Sequence, residues 1–337
     1  MRTIKPSITV GITGSRGFIA SHLIRRLSAE KDIRVVTCPR ADLQNPFGLA
    51  SFIRECDTIV HLAGANRGDE REVYQINSGL ADRLVEALTS DDKPPHVIFA
   101  STTERDRANG YGRSKKYGED QLRKWAARKG GRATVLVIPN VYGAGCRPYY
   151  NSVVATFCHQ LTHDQLPIVI DDQQLELLWV NDLVEAILEA VRRPPAGVEV
   201  ARIAGSARIT VSQLLSKLQS FRHSYFDEQI VPNLTDPFDA SLYTTFLSHV
   251  ELKDHCHRPR LQSDARGQLF EILRLAGGGQ IFFSTTKPGA IRGNHFHSRK
   301  IEWFCVVRGE AVIRLRRVGD GSVSEFRVSG ASPQFIS

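Results

Sequence analysis

The chain of 337 residues is 42% hydrophobic, enough for one large core or two smaller ones, and it carries no apolar run long enough to span a bilayer. Its formal net charge of +8 suits an anionic partner, yet the basic residues are spread along the chain and no zinc-finger, RRM or KH signature is present, which sets nucleic acid aside in favour of phosphorylated cofactors and nucleotide-linked substrates. Six scattered cysteines without a CxxC pair fit reduced thiols, and Met1-Arg2-Thr3-Ile4-Lys5-Pro6 leads directly into a strand without room for a signal peptide, so a cytoplasmic protein with no membrane partner is expected.

The apolar run Ile8 to Val10 passes through Gly11-Ile12-Thr13-Gly14-Ser15-Arg16-Gly17-Phe18-Ile19-Ala20 into an amphipathic run ending at Leu27. This reads as strand, glycine turn and helix, the pattern of a dinucleotide site. Gly11 is expected to turn the backbone sharply, Gly14 to admit a pyrophosphate, and Gly17 to let the helix pack on the strand with its free N–H groups facing phosphate. A second buried strand, Ile33 to Thr37, is followed by Cys38-Pro39-Arg40 where an acid would clasp the ribose of NAD. That substitution favours NADP, with Arg16 and Arg40 as forks for a 2′-phosphate and Asp42 at the adenine edge.

A helix around Pro46 to Glu55 precedes the strand Thr58 to Leu62, which ends in small residues, Ala63-Gly64-Ala65, that let a cofactor approach the sheet. Leu62, Ala63 and Gly64 are therefore cofactor-binding candidates, as is Asn77 on the following helix, whereas His61 reads as a core histidine. The fourth strand, Val97 to Ala100, runs into Ser101-Thr102-Thr103, and Tyr111-Gly112-Arg113-Ser114-Lys115 opens the next helix. Residues four apart share a helix face, so Tyr111 and Lys115 project together. An ammonium beside a phenol is expected to lower its pKa from about 10 toward neutrality and make it a usable acid or base.

Taken in order, the glycine turn, Ala63-Gly64, the hydroxyls after the fourth strand, Tyr111 with Lys115, Pro139-Asn140-Val141-Tyr142-Gly143 and Trp179-Val180-Asn181-Asp182-Leu183 resemble the extended short-chain dehydrogenase/reductase family over residues 7 to about 245. The resemblance implies a Rossmann-like, doubly wound parallel α/β sheet with a small substrate lobe, at about 145–250, that grips a nucleotide diphosphate sugar. It also implies Tyr111 as proton donor, Lys115 as holder of the nicotinamide ribose, and Thr102 as the partner hydroxyl, with Ser101 and Thr103 as alternatives. Only eight residues separate Thr102 from Tyr111, which points to a shortened lid. In the lobe, a helix is expected from Tyr149 to His163, a strand at Ile168-Val169-Ile170, a helix from Asp182 to Arg193, a strand from Glu199 to Ile203 and a helix from Val211 to Phe221, with Arg147 a candidate phosphate contact.

Residues 251–337 read as a second module after a first domain of residues 1–250, with strands expected at Gln280-Phe283, Glu302-Val307 and Ala311-Leu315 and none in the final residues. Gly289, His295, His297, Glu302 and Gly309 fall at the spacing of the first cupin motif, and alternate residues on a strand would turn both imidazoles one way. Two imidazoles and a carboxylate suit zinc or iron. The resemblance to the cupin family lacks that family's second motif before Ser337, so an incomplete all-β jelly-roll with weak or absent metal binding is expected.

An extended reductase joined to a cupin resembles the bifunctional enzymes of capsular polysaccharide biosynthesis, especially through Thr286-Lys287-Pro288-Gly289 before Arg292-Gly293-Asn294-His295. What that resemblance implies is C3 epimerisation of a UDP-2-acetamido-2,6-dideoxy-4-keto-hexose by the zinc cupin. The reductase then uses NADPH on the C4 ketone to give UDP-2-acetamido-2,6-dideoxy-L-talose, on the way to N-acetyl-L-fucosamine. The expected partners are thus a UDP-linked 4-keto-6-deoxy amino sugar, NADPH and a second copy of the chain as a homodimer. Two other readings stay open: an NAD-dependent nucleotide-sugar 4-epimerase or dehydratase, and a non-catalytic cofactor-binding scaffold.

Overall fold

The structure, a computed structural model, describes residues 8–91 and 93–337. They divide into two units, Met1–Arg258 with Leu273–Gln280, and Pro259–Ile272 with Ile281–Ser337.

The first unit is built on strands β1 (Ile8–Thr13), β2 (Ile33–Thr37), β3 (Thr58–His61), β4 (His96–Thr102) and β5 (Ala133–Ile138). With β8 (Val198–Arg202) they form a parallel six-stranded sheet in the order β2-β1-β3-β4-β5-β8. Every residue of β5 is buried, as a central strand covered on both faces requires. One face carries α2 (Arg40–Gln44), α3 (Pro46–Arg54), α4 (Glu70–Thr89) and α5 (Gly110–Lys129), with Leu49, Ile53, Leu84, Leu88, Leu122 and Trp125 in a common core. The other carries α1 (Phe18–Leu27) and α7 (Val180–Arg192), whose buried Val180, Leu183, Val184, Ile187, Leu188 and Val191 follow the three- and four-residue steps of one helix face. This is the doubly wound α/β arrangement expected from the sequence.

Local chemistry sets the helix starts near the strand ends. Asp69 caps α4 by accepting from the backbone N–H groups of Arg71 and Glu72 at 2.9 and 3.3 Å. Asn109 caps α5 by accepting from Gly112 at 2.7 Å, and Gly130 ends it in the left-handed region with φ of 66°.

The smaller lobe of this unit contains β6 (Asn140–Tyr142), α6 (Val153–Thr162), β7 (Gln174–Trp179), β9 (Ala207–Thr210), α8 (Val211–Arg222) and α9 (Pro237–Leu247) around its own core of Tyr142, Phe157, Leu177, Leu214, Leu242 and Phe246. Its strands pair in the order β6-β7-β9. Two expectations change here. Ile168-Val169-Ile170 is not a strand: Ile168 and Ile170 are exposed, and the pairing is made by β7 against β6 and β9. The helix expected from Tyr149 begins at Val153, because Tyr149 has a φ of 58° and Ser152 caps the helix by accepting from Ala155.

The second unit is all β. Strands β10 (Gln262–Asp264), β11 (Gly267–Arg274) and β12 (Gln280–Thr286) form one sheet in that order with β10 antiparallel to β11, β14 (Glu310–Leu315) pairs antiparallel with β15 (Ser324–Ser329), and β13 (Phe304–Cys305) pairs antiparallel with β16 (Phe335–Ile336). The final residues therefore do contribute a strand, through a pairing with Phe304 and Cys305 that no local pattern announces.

Candidate active site and metal-ligating cluster

In the parallel sheet the strand order reverses between β1 and β3, the position where ligands collect at carboxyl strand ends. The glycines there divide their roles differently from the sequence expectation. Gly11 lies within β1 and does not turn; a Cβ on it would meet Cys56 Sγ at 2.4 Å and the Phe52 ring at 2.6 Å, so it admits α3 to the sheet. The turn belongs to Gly14, with φ of 70° and a would-be Cβ 2.7 Å from the backbone nitrogen of Ala63. Gly17 is the N-cap of α1 without a side-chain cap, which leaves the N–H groups of the first helical turn, Phe18 and Ile19 among them, facing the loop.

Around this turn the polar groups are closely accounted for. Thr13 Oγ1 accepts from Ala63 N at 3.3 Å and is hydrogen-bonded to His61 Nδ1 at 3.0 Å. His61 is buried, stacked on Phe99, and brought down to about 3 by burial and then by Lys115, so it is a neutral core residue as expected. Asn77 accepts from Ala65 N at 2.7 Å and donates to Ala65 O and Ser114 Oγ at 2.8 and 3.0 Å. It thus ties the loop holding Leu62, Ala63 and Gly64 to α5. Arg16 and Arg40 are exposed, Asp42 is partly buried beside Gly48, and Cys38 is buried with its thiol pushed up to about 11, chiefly by burial.

At the end of β4 the structure brings Lys115 and Tyr111 together. Lys115 Nζ donates to Ala100 O at 2.8 Å and stands 5.7 Å from the centroid of the Tyr111 ring. The phenol, however, is not lowered toward neutrality. Burial, and then Glu104, push Tyr111 up to about 12, while burial brings Lys115 down to about 8 against the raising pull of Glu119. The lysine is drawn onto a carbonyl instead of onto the phenol, so Tyr111 is a held acid, protonated at neutral pH.

Among the three hydroxyls, Ser101 is committed elsewhere: it donates to Glu119 Oε1 at 2.5 Å. Thr102 is buried and accepts from Glu104 N at 3.2 Å, keeping its own hydrogen to donate, and Thr103 is exposed. The short link to Tyr111 is possible because Gly110 and Gly112 press against the preceding chain. A Cβ at Gly110 would come 2.1 Å from Glu70 O, and one at Gly112 2.3 Å from Glu104 O. Glu119 and Arg105, 2.9 Å apart, were not anticipated as part of this site; the four-residue step from Lys115 to Glu119 was the available signal. In the lobe, Arg147 is exposed, and Arg67 donates to the Tyr149 and Tyr150 carbonyls, joining the loop after β3 to the one before α6.

In the second unit His295, His297 and Glu302 offer ligand atoms that all lie within 4.8 Å of one another. His297 Nε2 is 3.2 Å and His295 Nε2 3.9 Å from the Glu302 carboxylate. None of the three is on a strand: Gly293 and Asn294 have φ of 94° and 59°, so the chain curls and the imidazoles meet in a T-shaped contact instead of alternating along an extended segment. The donor set of two nitrogens and a carboxylate fits a zinc-type ion.

A parallel sheet with a glycine cradle at the strand reversal and a tyrosine–lysine pair beside it defines a nicotinamide-cofactor enzyme fold, and residues 10–204 match the NAD dependent epimerase/dehydratase family, to which the chain belongs. Residues 262–337 match the polysaccharide biosynthesis C-terminal domain. The chain is 31% identical over 328 residues to the UDP-2-acetamido-2,6-beta-L-arabino-hexul-4-ose reductase of Pseudomonas aeruginosa, covering 96% of this chain and 87% of that one. It is similar in structure to the capsular polysaccharide assembling protein CapF of Staphylococcus aureus, with a TM-score of 0.84 and 30% identity over 98% of this chain and 89% of that one. The UDP-glucose 4-epimerase of Thermotoga maritima shares the fold at a TM-score of 0.60 and 19% identity, over 72% of this chain and 98% of that one.

Proposed function

We propose that the first unit reduces the C4 ketone of a UDP-2-acetamido-2,6-dideoxy-4-keto-hexose with NADPH, giving UDP-2-acetamido-2,6-dideoxy-L-talose for surface polysaccharide synthesis. The observation that carries the reading is the meeting of Tyr111 and Lys115 at the end of β4, across the strand reversal from the Gly14 cradle. The similarity to a Pseudomonas UDP-sugar reductase supports the substrate class. When bound, the nicotinamide supplies the hydride.

The residues present fit such a cofactor, since the Gly14–Ala63 approach leaves backbone, not side chain, at the floor of the cradle. Gly14, Gly17 and the first N–H groups of α1 would hold the pyrophosphate, Arg16 and Arg40 the 2′-phosphate, Asp42 the adenine edge, and Lys115 the nicotinamide ribose. Tyr111, protonated at neutral pH, donates its proton to the oxygen that gains charge as the ketone is reduced, and Thr102 donates a hydrogen bond to the same atom. The Lys115 ammonium stabilises the phenolate left behind. His295, His297 and Glu302 would hold a zinc ion only weakly as Lewis acid for proton exchange at C3, so that epimerisation is impaired, and a second copy of the chain completes a homodimer in this reading.

The test is NADPH oxidation by the purified chain with a UDP-4-keto sugar; a rate no higher than that of Tyr111→Phe overturns the reading. Arg40→Ala should narrow the preference for NADPH over NADH several-fold, about 1 kcal/mol of binding, as read by fluorescence titration of both cofactors.

A further inference from the structure

We infer that Glu119 is a positioning residue of this site: its buried carboxylate, anchored by Ser101 and Arg105, is the counter-charge that keeps Lys115 in its ammonium form and fixes α5 against the end of β4. The inference rests on the reductase reading for its kinetic consequences, but its electrostatic content stands apart.

Three observations converge. Glu119 has no solvent exposure, and its two oxygens accept from Ser101 Oγ at 2.5 Å and from Arg105 Nη1 at 2.9 Å. One helical turn earlier on the same face, Lys115 is also buried and donates to Ala100 O at 2.8 Å. Consecutive residues of β4, Ala100 and Ser101, are therefore gripped by consecutive turns of α5, and the next residue of the strand is Thr102. The register of Tyr111, Lys115 and Thr102 is set by this double grip.

Charge makes the arrangement more than a clamp. A buried ammonium without a counter-charge is costly, and it gives up its proton before it accepts such a position. Around Lys115, the charged and titratable groups on the packed elements are His61 on β3, Tyr111 and Glu119 on α5, and Arg105 through its pair with Glu119. Glu119, ion-paired with Arg105 at 2.9 Å, is the carboxylate among these. Arg105, partly exposed, takes up part of that negative charge and so moderates it. Burial alone brings Lys115 down, and Glu119 opposes the fall.

Two substitutions of opposite sign test this. In the full chain, Glu119→Gln should move the alkaline limb of kcat/KM for NADPH-dependent reduction down by about one pH unit, and Glu119→Asp, which keeps the charge, should return it toward wild type. Arg105→Met should move the limb up, and it also serves if Glu119→Gln does not fold. In parallel, NMR titration of ε-13C-labelled lysine, with the Lys115 signal assigned by Lys115→Met, should show the same opposite displacements without any substrate. A Lys115 titration that is unmoved in Arg105→Met and in any folded Glu119→Gln overturns the inference. Turnover in Tyr111→Phe equal to wild type overturns the reductase reading and leaves the NMR result to judge Glu119.

Discussion

At the carboxyl end of β4, Lys115 and Glu119 are buried and each is bonded to the strand it faces, whereas the side chains of His295, His297 and Glu302 are 53%, 30% and 39% exposed. In the first place the fold supplies the geometry and also retunes the acids and bases, holding a phenol protonated and a lysine near the edge of neutrality. In the second, the imidazoles meet Glu302 and each other on a curled segment. The difference is one of support. Groups braced by a buried shell act with little reorganisation, while exposed ligands must be ordered by the ion they bind.

The comparison breaks most visibly if Tyr111→Phe retains activity. That substitution removes one oxygen from a braced site and should lower turnover of a UDP-4-keto sugar by about 10²–10⁴-fold, with the thermal melt unchanged. Next in size is the response to acid. His61 and His96 are buried with pKa values brought down, chiefly by burial, to about 3 and about 4, below the ordinary 6.5. The unfolded chain thus binds more protons than the folded one below pH 6.5, and stability must fall as pH drops through that value toward 4. At pH 5.5 the two together should cost about 3 kcal/mol, measurable by denaturant unfolding at pH 7.5 and 5.5, and His61→Gln should remove about half of the difference.

A smaller effect is expected at the cradle. Gly14→Ala places a Cβ at a φ of 70° against the backbone of Ala63, and cofactor affinity should fall at least about tenfold, roughly the 1–2 kcal/mol of a left-handed alanine; fluorescence titration of NADPH reads it. The smallest effect sharpens the contrast from the other side. Dialysis against a chelator should strip zinc from the His295 cluster readily, yet leave NADPH-dependent reduction by the first unit unchanged, as metal analysis and initial rates on the same sample would show.

Much of the first unit was legible because its signals are local. The glycine turn, the small residues after β3, and the Tyr111–Lys115 step each depend on residues within a few positions of one another. Where pairing partners lie far off in sequence, reading failed. The triplet Ile168-Val169-Ile170 has strand composition but no neighbour, while Gln174–Trp179, less apolar, finds β6 and β9. Gly11 looked like a turn residue because its neighbours in sequence were known and Phe52 and Cys56 were not. Lys115 was expected to act on the phenol; only the fold shows Ala100 O competing for it and burial outweighing the ion. In the second unit the ligand trio was legible from spacing, but a strand was expected to carry His295 and His297, where the positive φ values of Gly293 and Asn294 curl the segment instead.

The pair of glycines at the start of α5 has a consequence for how this chain can change. Because Gly110 abuts Glu70 and Gly112 abuts the Glu104 carbonyl, Tyr111 between them is located from behind, by main chain against main chain. Substrate preference can drift through the loops in front of Tyr111 while the phenol stays where it is. A side chain at Gly110 or Gly112 leaves no such freedom, since its first carbon would displace the helix that carries Tyr111 and Lys115.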